Sequence, residues 1–154
     1  MYVIQWVRSL LFNIQMYVMM LILGIVFLIP MILHPWGAHT ACMLYARWVI
    51  WTASWMVGVK VEIRGTPPTD PVLIAAKHQS FLDIMVIFAN IPWGKFVMKQ
   101  ELMYAPILGV FSRRLGCIPV SRGKGASAVK KMLSDVEQGH TMPGQVVIYP
   151  QGTR

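Results

Sequence analysis

The sequence predicts an α/β fold: a central sheet flanked by helices, preceded by an N-terminal apolar helical hairpin. Three observations support this. Residues 10–33 and 41–59 contain no charge except Arg47 and read as two apolar helices. Short apolar runs at 72–76, 95–98, 117–121 and 145–150 read as strands. The segments between those runs have helical spacing, and strands alternating with helices build a sheet with helices packed on it. The composition changes after residue 58, so two domains are expected: a membrane-embedded or interfacial hairpin, 1–58, and an α/β domain, 59–154.

The hairpin rests on composition first. Of 154 residues, 56% are hydrophobic and 13% charged, against roughly 25% charged in a typical soluble domain. Residues 1–58 contain only Arg8 and Arg47 as charged groups. Residues 10–33 would form a helix about 35 Å long, enough to span or nearly span a bilayer. The HPWGAH stretch is expected to break it before the second helix, 41–59. A secretory leader fits less well, because the start is weakly basic and no small-residue cleavage site follows. Trp48, Trp51 and Trp55 share one helical face, suited either to the headgroup layer or to helix packing.

Beyond residue 58 the periodicity changes. VKVEIR alternates and reads as a half-exposed strand, ended by Gly65 and a Thr-Pro-Pro-Thr-Asp-Pro run. VLIAA, 72–76, reads as a buried strand. A buried helix is expected over 80–91, a strand over 95–98, and a helical segment over 101–115 interrupted near Pro106. Strand 117–121 follows, then an amphipathic helix, 126–138, stopped by Gly139, and a last buried strand, 145–150.

The net charge is +8, of which +2 comes from Arg8 and Arg47 and +6 from twelve basic against six acidic residues beyond the hairpin. That balance points to anionic partners. Nucleic acid is the weaker candidate, since no RNA-binding, helix-turn-helix or zinc-finger pattern occurs and the aromatics concentrate in the apolar front. Cys42 and Cys117 have neither disulfide-framework nor metal-site spacing and read as structural thiols. Ser80, Ser112 and Ser121 lie in no nucleophile-elbow context. His34, His39 and His140 read as surface polar groups, and no metal-ligand spacing is present.

The stretch AAKHQSFLD is different. His78 follows a strand and Asp83 falls in the first turn of the next helix. In open α/β sheets ligands gather at the carboxyl ends of strands. A carboxylate that accepts from Nδ1–H leaves Nε2 free as a base, the arrangement of a triad whose nucleophile comes from outside. From spacing alone, a capped helix start accounts for the pair better. The other strand exits change the weighting. KFVM runs into Lys99, CIPVS into Arg122-Gly123-Lys124, and VVIYP into Gln151-Gly152-Thr153-Arg154. Side by side, these exits would gather cations and glycine backbone around His78, as a phosphate cradle beside a base.

KHQSFLD resembles the N-H-x-S-x-x-D signature of the glycerolipid acyltransferases, in particular the bacterial 1-acylglycerol-3-phosphate (lysophosphatidate) acyltransferases. KQELMYAPILGVFSRRLGCIPVSRGKG is similar to the family's K-x-E-L segment and arginine motif, and IYPQGTR to its F-P-E-G-T-R. The blocks keep the family's order over residues 60–154, and an apolar helical front is usual there. The resemblance implies a glycerolipid acyltransferase-like fold and transfer of a fatty acyl group from an acyl thioester to the free hydroxyl of lysophosphatidate, giving phosphatidate in phospholipid biosynthesis. It implies His78 as base, Asp83 as its orienter, and Arg122, Gly152, Thr153 and Arg154 around the acceptor phosphate; Lys99 is a further candidate there. Lys77 stands where the family often has Asn, Ser121 where an acidic residue often precedes the arginine, and Gln151 where it has Glu.

The implied partners are membrane phospholipid, lysophosphatidate and acyl-CoA or acyl-carrier protein as donor, with no metal, no nucleic acid and no cofactor beyond the donor. The implied location is the cytoplasmic face of the inner (cell) membrane. Glycerol 3-phosphate or an aminoacyl lysolipid could replace the acceptor, and a non-catalytic module binding anionic lipid would use the same basic loops. Because residue 154 lies inside the third block, the domain is expected to lack its C-terminal part.

Overall fold

The computed structural model describes residues 2–120 and 143–151 and, between them, Ser127, Lys130 and Ser134. Contacts group the chain into two units, Met1–Thr66 with Ser80–Asn90 and Pro67–Gln79 with Ile91–Arg154.

The first unit is helical. It holds α1 (Tyr2–Val26), α2 (Leu28–Leu33), α3 (Pro35–Thr52), a π-helical turn (Ala53–Val57) and α4 (Phe81–Asn90). Among the described residues α1 is the one helix long and apolar enough to cross a bilayer, and 6% of its apolar window is buried. A soluble core helix of that composition would be mostly buried, so α1 is dressed for lipid.

The expected break at HPWGAH contracts to one residue. His34 is extended, and α3 begins directly at Pro35. Proline suits the first helical position, where its missing N–H has no helical partner, and His34 Nδ1 accepts the Trp36 N–H at 3.2 Å. The motif therefore starts a helix as well as ending one. Gly58, at φ 82°, closes the π-helical turn, and the Val59 N–H reaches back to the Ala53 carbonyl at 3.2 Å.

Polar side chains tie α1 to α3 in antiparallel order. Gln5 donates to the Val57 carbonyl, Arg8 to the Trp55 carbonyl, and Gln15 to Thr52 Oγ1 at 3.1 Å. Gln15 Oε1 also accepts from Trp48 Nε1. Among apolar helices such directional bonds set register, because sliding would leave them unmade. The tryptophan stripe divides accordingly. Trp48 packs inward on Gln15, while Trp51 and Trp55 are 56% and 54% exposed. His39, expected at the surface, is buried in α3 between the rings of Trp36 and Phe88, at 5.4 and 5.6 Å. The Phe88 contact joins α4 to α3.

VKVEIR is not a strand. Residues 59–64 form no regular element and are mostly exposed, with Arg64 paired to Glu62 at 3.0 Å. Alternation equips a segment to lie on a sheet, but a strand also needs a partner edge.

The second unit is a parallel sheet of β1 (Leu73–Ala75), β2 (Gly94–Lys99), β3 (Ile118–Val120) and β4 (Gln145–Ile148), in the order β1-β4-β2-β3. A 3₁₀ helix (Gln100–Tyr104) and α5 (Leu108–Leu115) connect β2 to β3. The central β4 carries the core: Val147 is fully buried and Val146 nearly so. β1, expected to be buried, is an edge strand among the described residues, with Leu73 60% exposed. Gln145 locks the amino end of the sheet. Its Nε2 donates to the Thr69 and Asp70 carbonyls at 2.8 and 3.0 Å, and its Oε1 accepts the Trp93 N–H at 2.9 Å. A buried amide satisfied on both sides holds the Pro-rich loop to the sheet. Of the helix expected over 126–138, only Ser127, Lys130 and Ser134 are described, and each is helical.

Candidate active site

Because all four strands are parallel, their exits share one edge. β1 leads through Ala76 and Lys77 to His78, and the Ala76 N–H still bonds the Ile148 carbonyl of β4 at 3.0 Å. β4 leads to Tyr149, Pro150 and Gln151, and β2 ends at Lys99. In strand order, His78, Gln151 and Lys99 therefore lie along the carboxyl edge on three neighbouring strands. Lys99 and Gln151 are exposed and His78 is half-buried.

The His78 imidazole lies on the Tyr149 ring, centroids 4.4 Å apart and planes 30° apart. Tyr149 in turn stacks on Phe96 of β2, at 6.4 Å and 24°. A ring laid on a ring loses rotational freedom, so the stack restrains the plane in which the imidazole nitrogens point. Tyr149 was not singled out in the sequence. The signal available was an aromatic immediately after a buried strand, but only the strand order places it beside β1.

Asp83 belongs to the helical unit, in the first turn of α4. Ser80 caps that helix: its backbone N–H donates to Asp83 Oδ2 at 2.7 Å and its hydroxyl to Oδ1 at 3.2 Å. Ser80 Oγ also accepts the Leu82 N–H at 3.2 Å. This is a reciprocal capping box, legible as S-x-x-D before an apolar run. The cap is thus Ser80, inside the H-x-S-x-x-D block. An ionised carboxylate offers about four lone-pair sites, so two bonds from Ser80 leave Asp83 capacity for another donor.

Arg122, Gly152, Thr153 and Arg154 lie outside the described residues. Behind β2 and β3 sits a pair not anticipated as such. The Lys95 side chain is almost wholly buried and runs close to Gly116, where a Cβ would lie 3.5 Å from its Cε. Burial pushes the Lys95 ammonium down from its ordinary value, and the neighbouring Cys117 acts against that. Burial pushes the Cys117 thiol up, against hydrogen bonds from the Phe96 backbone and Ser112 and the charge of Lys95. Cys117 is half-buried, and a thiol pushed up in this way is a weaker nucleophile than an exposed one.

The family model described as "Acyltransferase" matches residues 58–154. The chain belongs to the acyltransferase family. Within it, the mouse protein named 1-acyl-sn-glycerol-3-phosphate acyltransferase alpha is 29% identical over 122 residues, 77% of this chain and 43% of its own length. A Pseudomonas aeruginosa 1-acyl-sn-glycerol-3-phosphate acyltransferase is 29% identical, covering 71% of this chain and 44% of itself. A lyso-ornithine lipid O-acyltransferase of the same organism is also 29% identical, covering 70% and 40%. The chain thus spans less than half the length of these relatives. The crystal structure of the 1-acyl-sn-glycerophosphate (LPA) acyltransferase PlsC from Thermotoga maritima superposes with a TM-score of 0.73 at 18% identity, over 97% of this chain and 63% of that one. This acyltransferase-family chain therefore has the fold expected: a parallel sheet flanked by helices, with an apolar N-terminal helix.

Proposed function

We propose that the protein transfers a fatty acyl group from an acyl thioester to the free hydroxyl of 1-acylglycerol 3-phosphate, giving phosphatidate. The observation that carries this reading is the placement of His78, in an acyltransferase-family chain, at the carboxyl edge of a parallel sheet with its ring held on Tyr149. In the proposed reaction His78 takes the proton from the acceptor hydroxyl as its oxygen attacks the thioester carbonyl. The carbon–sulfur bond then breaks, and the departing thiolate receives a proton from the imidazolium. Asp83 accepts from the Nδ1–H of His78, which is five positions away, and so fixes the tautomer. Base assistance of this kind is worth about 10²–10⁴-fold.

Arg122 with Gly152, Thr153 and Arg154 would hold the acceptor phosphate, with Lys99 at the neighbouring exit. Acyl-CoA or acyl-carrier protein supplies the acyl group. A second acceptor merits equal testing, because the lyso-ornithine lipid relative is as similar as the lysophosphatidate ones. Gln151, neutral where the family has Glu, is the residue at which such a preference would register.

The helical unit supports a location on the cytoplasmic face of the cell membrane. Between α3's start and Arg47 lie twelve uncharged residues, Pro35–Ala46, or about 18 Å of helix. That is close to half the ~30 Å hydrocarbon layer. A full span would carry Arg47 into the apolar interior, at roughly 2.5–3.5 kcal/mol. In this reading the α1–α3 pair enters one leaflet, tip first, with Arg8 and Arg47 on the cytoplasmic side.

The test incubates the protein with acyl-CoA or acyl-carrier protein and either lysophosphatidate or lyso-ornithine lipid, and follows product by mass spectrometry. Phosphatidate formed by the parent and lost in His78→Ala supports the proposal. Product from lyso-ornithine lipid alone would move the acceptor assignment. Lipid binding with no turnover would overturn the catalytic reading.

A further inference from the structure

The connection between β2 and β3 presents more apolar surface than a connector needs. Tyr104, at the end of the 3₁₀ helix, is 74% exposed, and Leu102, Leu108 and Val110 are 41%, 41% and 44% exposed. α5 turns Phe111, Ser112 and Leu115 inward, so Val110, Arg113 and Arg114, spaced i, i+3 and i+4, share its outer face. Arg113 is held: its Nη2 donates to the Met103 carbonyl at 2.7 Å. Tyr104 and Arg113 border one hollow of about 330 Å³, floored by Met103, Cys117 and Pro119. The segment carries one acidic residue, the exposed Glu101, against Arg113, Arg114 and the adjoining Lys99.

Exposed aromatic and aliphatic groups on a segment with one held cation, Arg113, and a second on the same helix face, Arg114, match the boundary between acyl chains and anionic headgroups. Tyrosine carries an apolar body and a polar tip suited to that layer. Arginine keeps its charge and can grip a phosphate oxygen with two N–H groups at once.

We infer that the 3₁₀–α5 segment is a second membrane-contact face, specific for anionic phospholipid, carried by the sheet unit itself. Tyr104 and Val110 enter the headgroup–acyl boundary, and Arg113 and Arg114 engage lipid phosphates. The inference goes beyond the acyl-transfer reading and does not depend on it, since a chain without turnover would make the same contact.

The experiment places the whole chain in nanodiscs, where the apolar helices hold it whatever the lipid charge. Val110→Cys, with Cys42→Ser and Cys117→Ser, carries an environment-sensitive fluorophore. In discs containing phosphatidylglycerol the emission moves to the blue and is quenched by brominated acyl chains; in phosphatidylcholine discs it stays as in water. Arg113→Gln and Arg114→Gln each raise the phosphatidylglycerol needed for half the shift by about fivefold, and high salt reverses it. A label at Tyr104→Cys reports the same face from an independent variant. A fluorophore that stays in water on anionic discs at both positions, or shifts equally on neutral ones, would overturn the inference. So would a shift that follows protein concentration in detergent without phospholipid, which would assign the face to a second copy.

Discussion

Ser80 and Asp83 hold each other by two hydrogen bonds at the start of α4, so one carboxylate serves as helix cap and, as proposed, as orienter of His78. The two roles separate by substitution. Ser80→Ala removes the cap and is expected to cost about 1 kcal/mol of stability, read in denaturant titrations, with little change in the pH profile of kcat. Asp83→Asn keeps a capping oxygen but loses the charge that favours the correct tautomer, so kcat should fall at least tenfold with stability nearly kept. Equal activity losses in the two variants, each tracking stability, would make Asp83 a cap only. Tyr149→Phe preserves the ring under His78 and should keep activity, whereas Tyr149→Leu should lower kcat several-fold with KM little moved. His78 was legible because a strand exit and a helix start flank it in seven residues. Tyr149 was not, since its partner His78 lies 71 positions away and only strand order joins them.

At the scale of elements, the apolar runs expected as strands at 95–98, 117–121 and 145–150 yield β2, β3 and β4, each paired with a neighbouring strand, while VKVEIR, with better alternation, has no strand partner among the described residues. HPWGAH was misread for a related reason: proline punctuates a helix interior but initiates at its first position. Close packing inside the β2–β3 connection gives a direct check. A Cβ on Gly109 would lie 2.1 Å from the Met103 carbonyl oxygen, so Gly109→Ala should destabilise the protein by about 1–3 kcal/mol, measured by chemical denaturation; a neutral result would mean the 3₁₀ helix and α5 do not pack as described. Lys95 gives a pH check. Its pKa is depressed in the fold below 10.5, so the unfolded chain binds the proton more readily and stability rises with pH from the depressed value toward 10.5. Cys117, raised above 9.0, adds the opposite slope only beyond that pH. The parent should therefore gain stability relative to Lys95→Met as pH climbs toward 10.5; parallel curves would contradict the burial argument.

The whole molecule joins an apolar helical unit to a basic parallel-sheet unit, and its proposed chemistry needs both. In the proposed reaction the acceptor and product are lipids, while the donor comes from water. The one-leaflet placement predicts that Leu33→Cys, at the exposed end of α2, resists membrane-impermeant maleimide from either side of the membrane; labelling from the non-cytoplasmic side would show a span instead. The change from a nearly charge-free apolar front to a basic remainder is readable from charge alone. The grouping of α4 with the helices was not, because its apolar spacing fits packing on a sheet or on α3 equally well. The most direct measurement is single-turnover acyl transfer to lysophosphatidate by the polypeptide carrying this sequence, parent against His78→Ala, with folding matched by near-ultraviolet circular dichroism. The account predicts phosphatidate from the parent and a loss of about 10²–10⁴-fold in the variant. Equal rates in the two would contradict it.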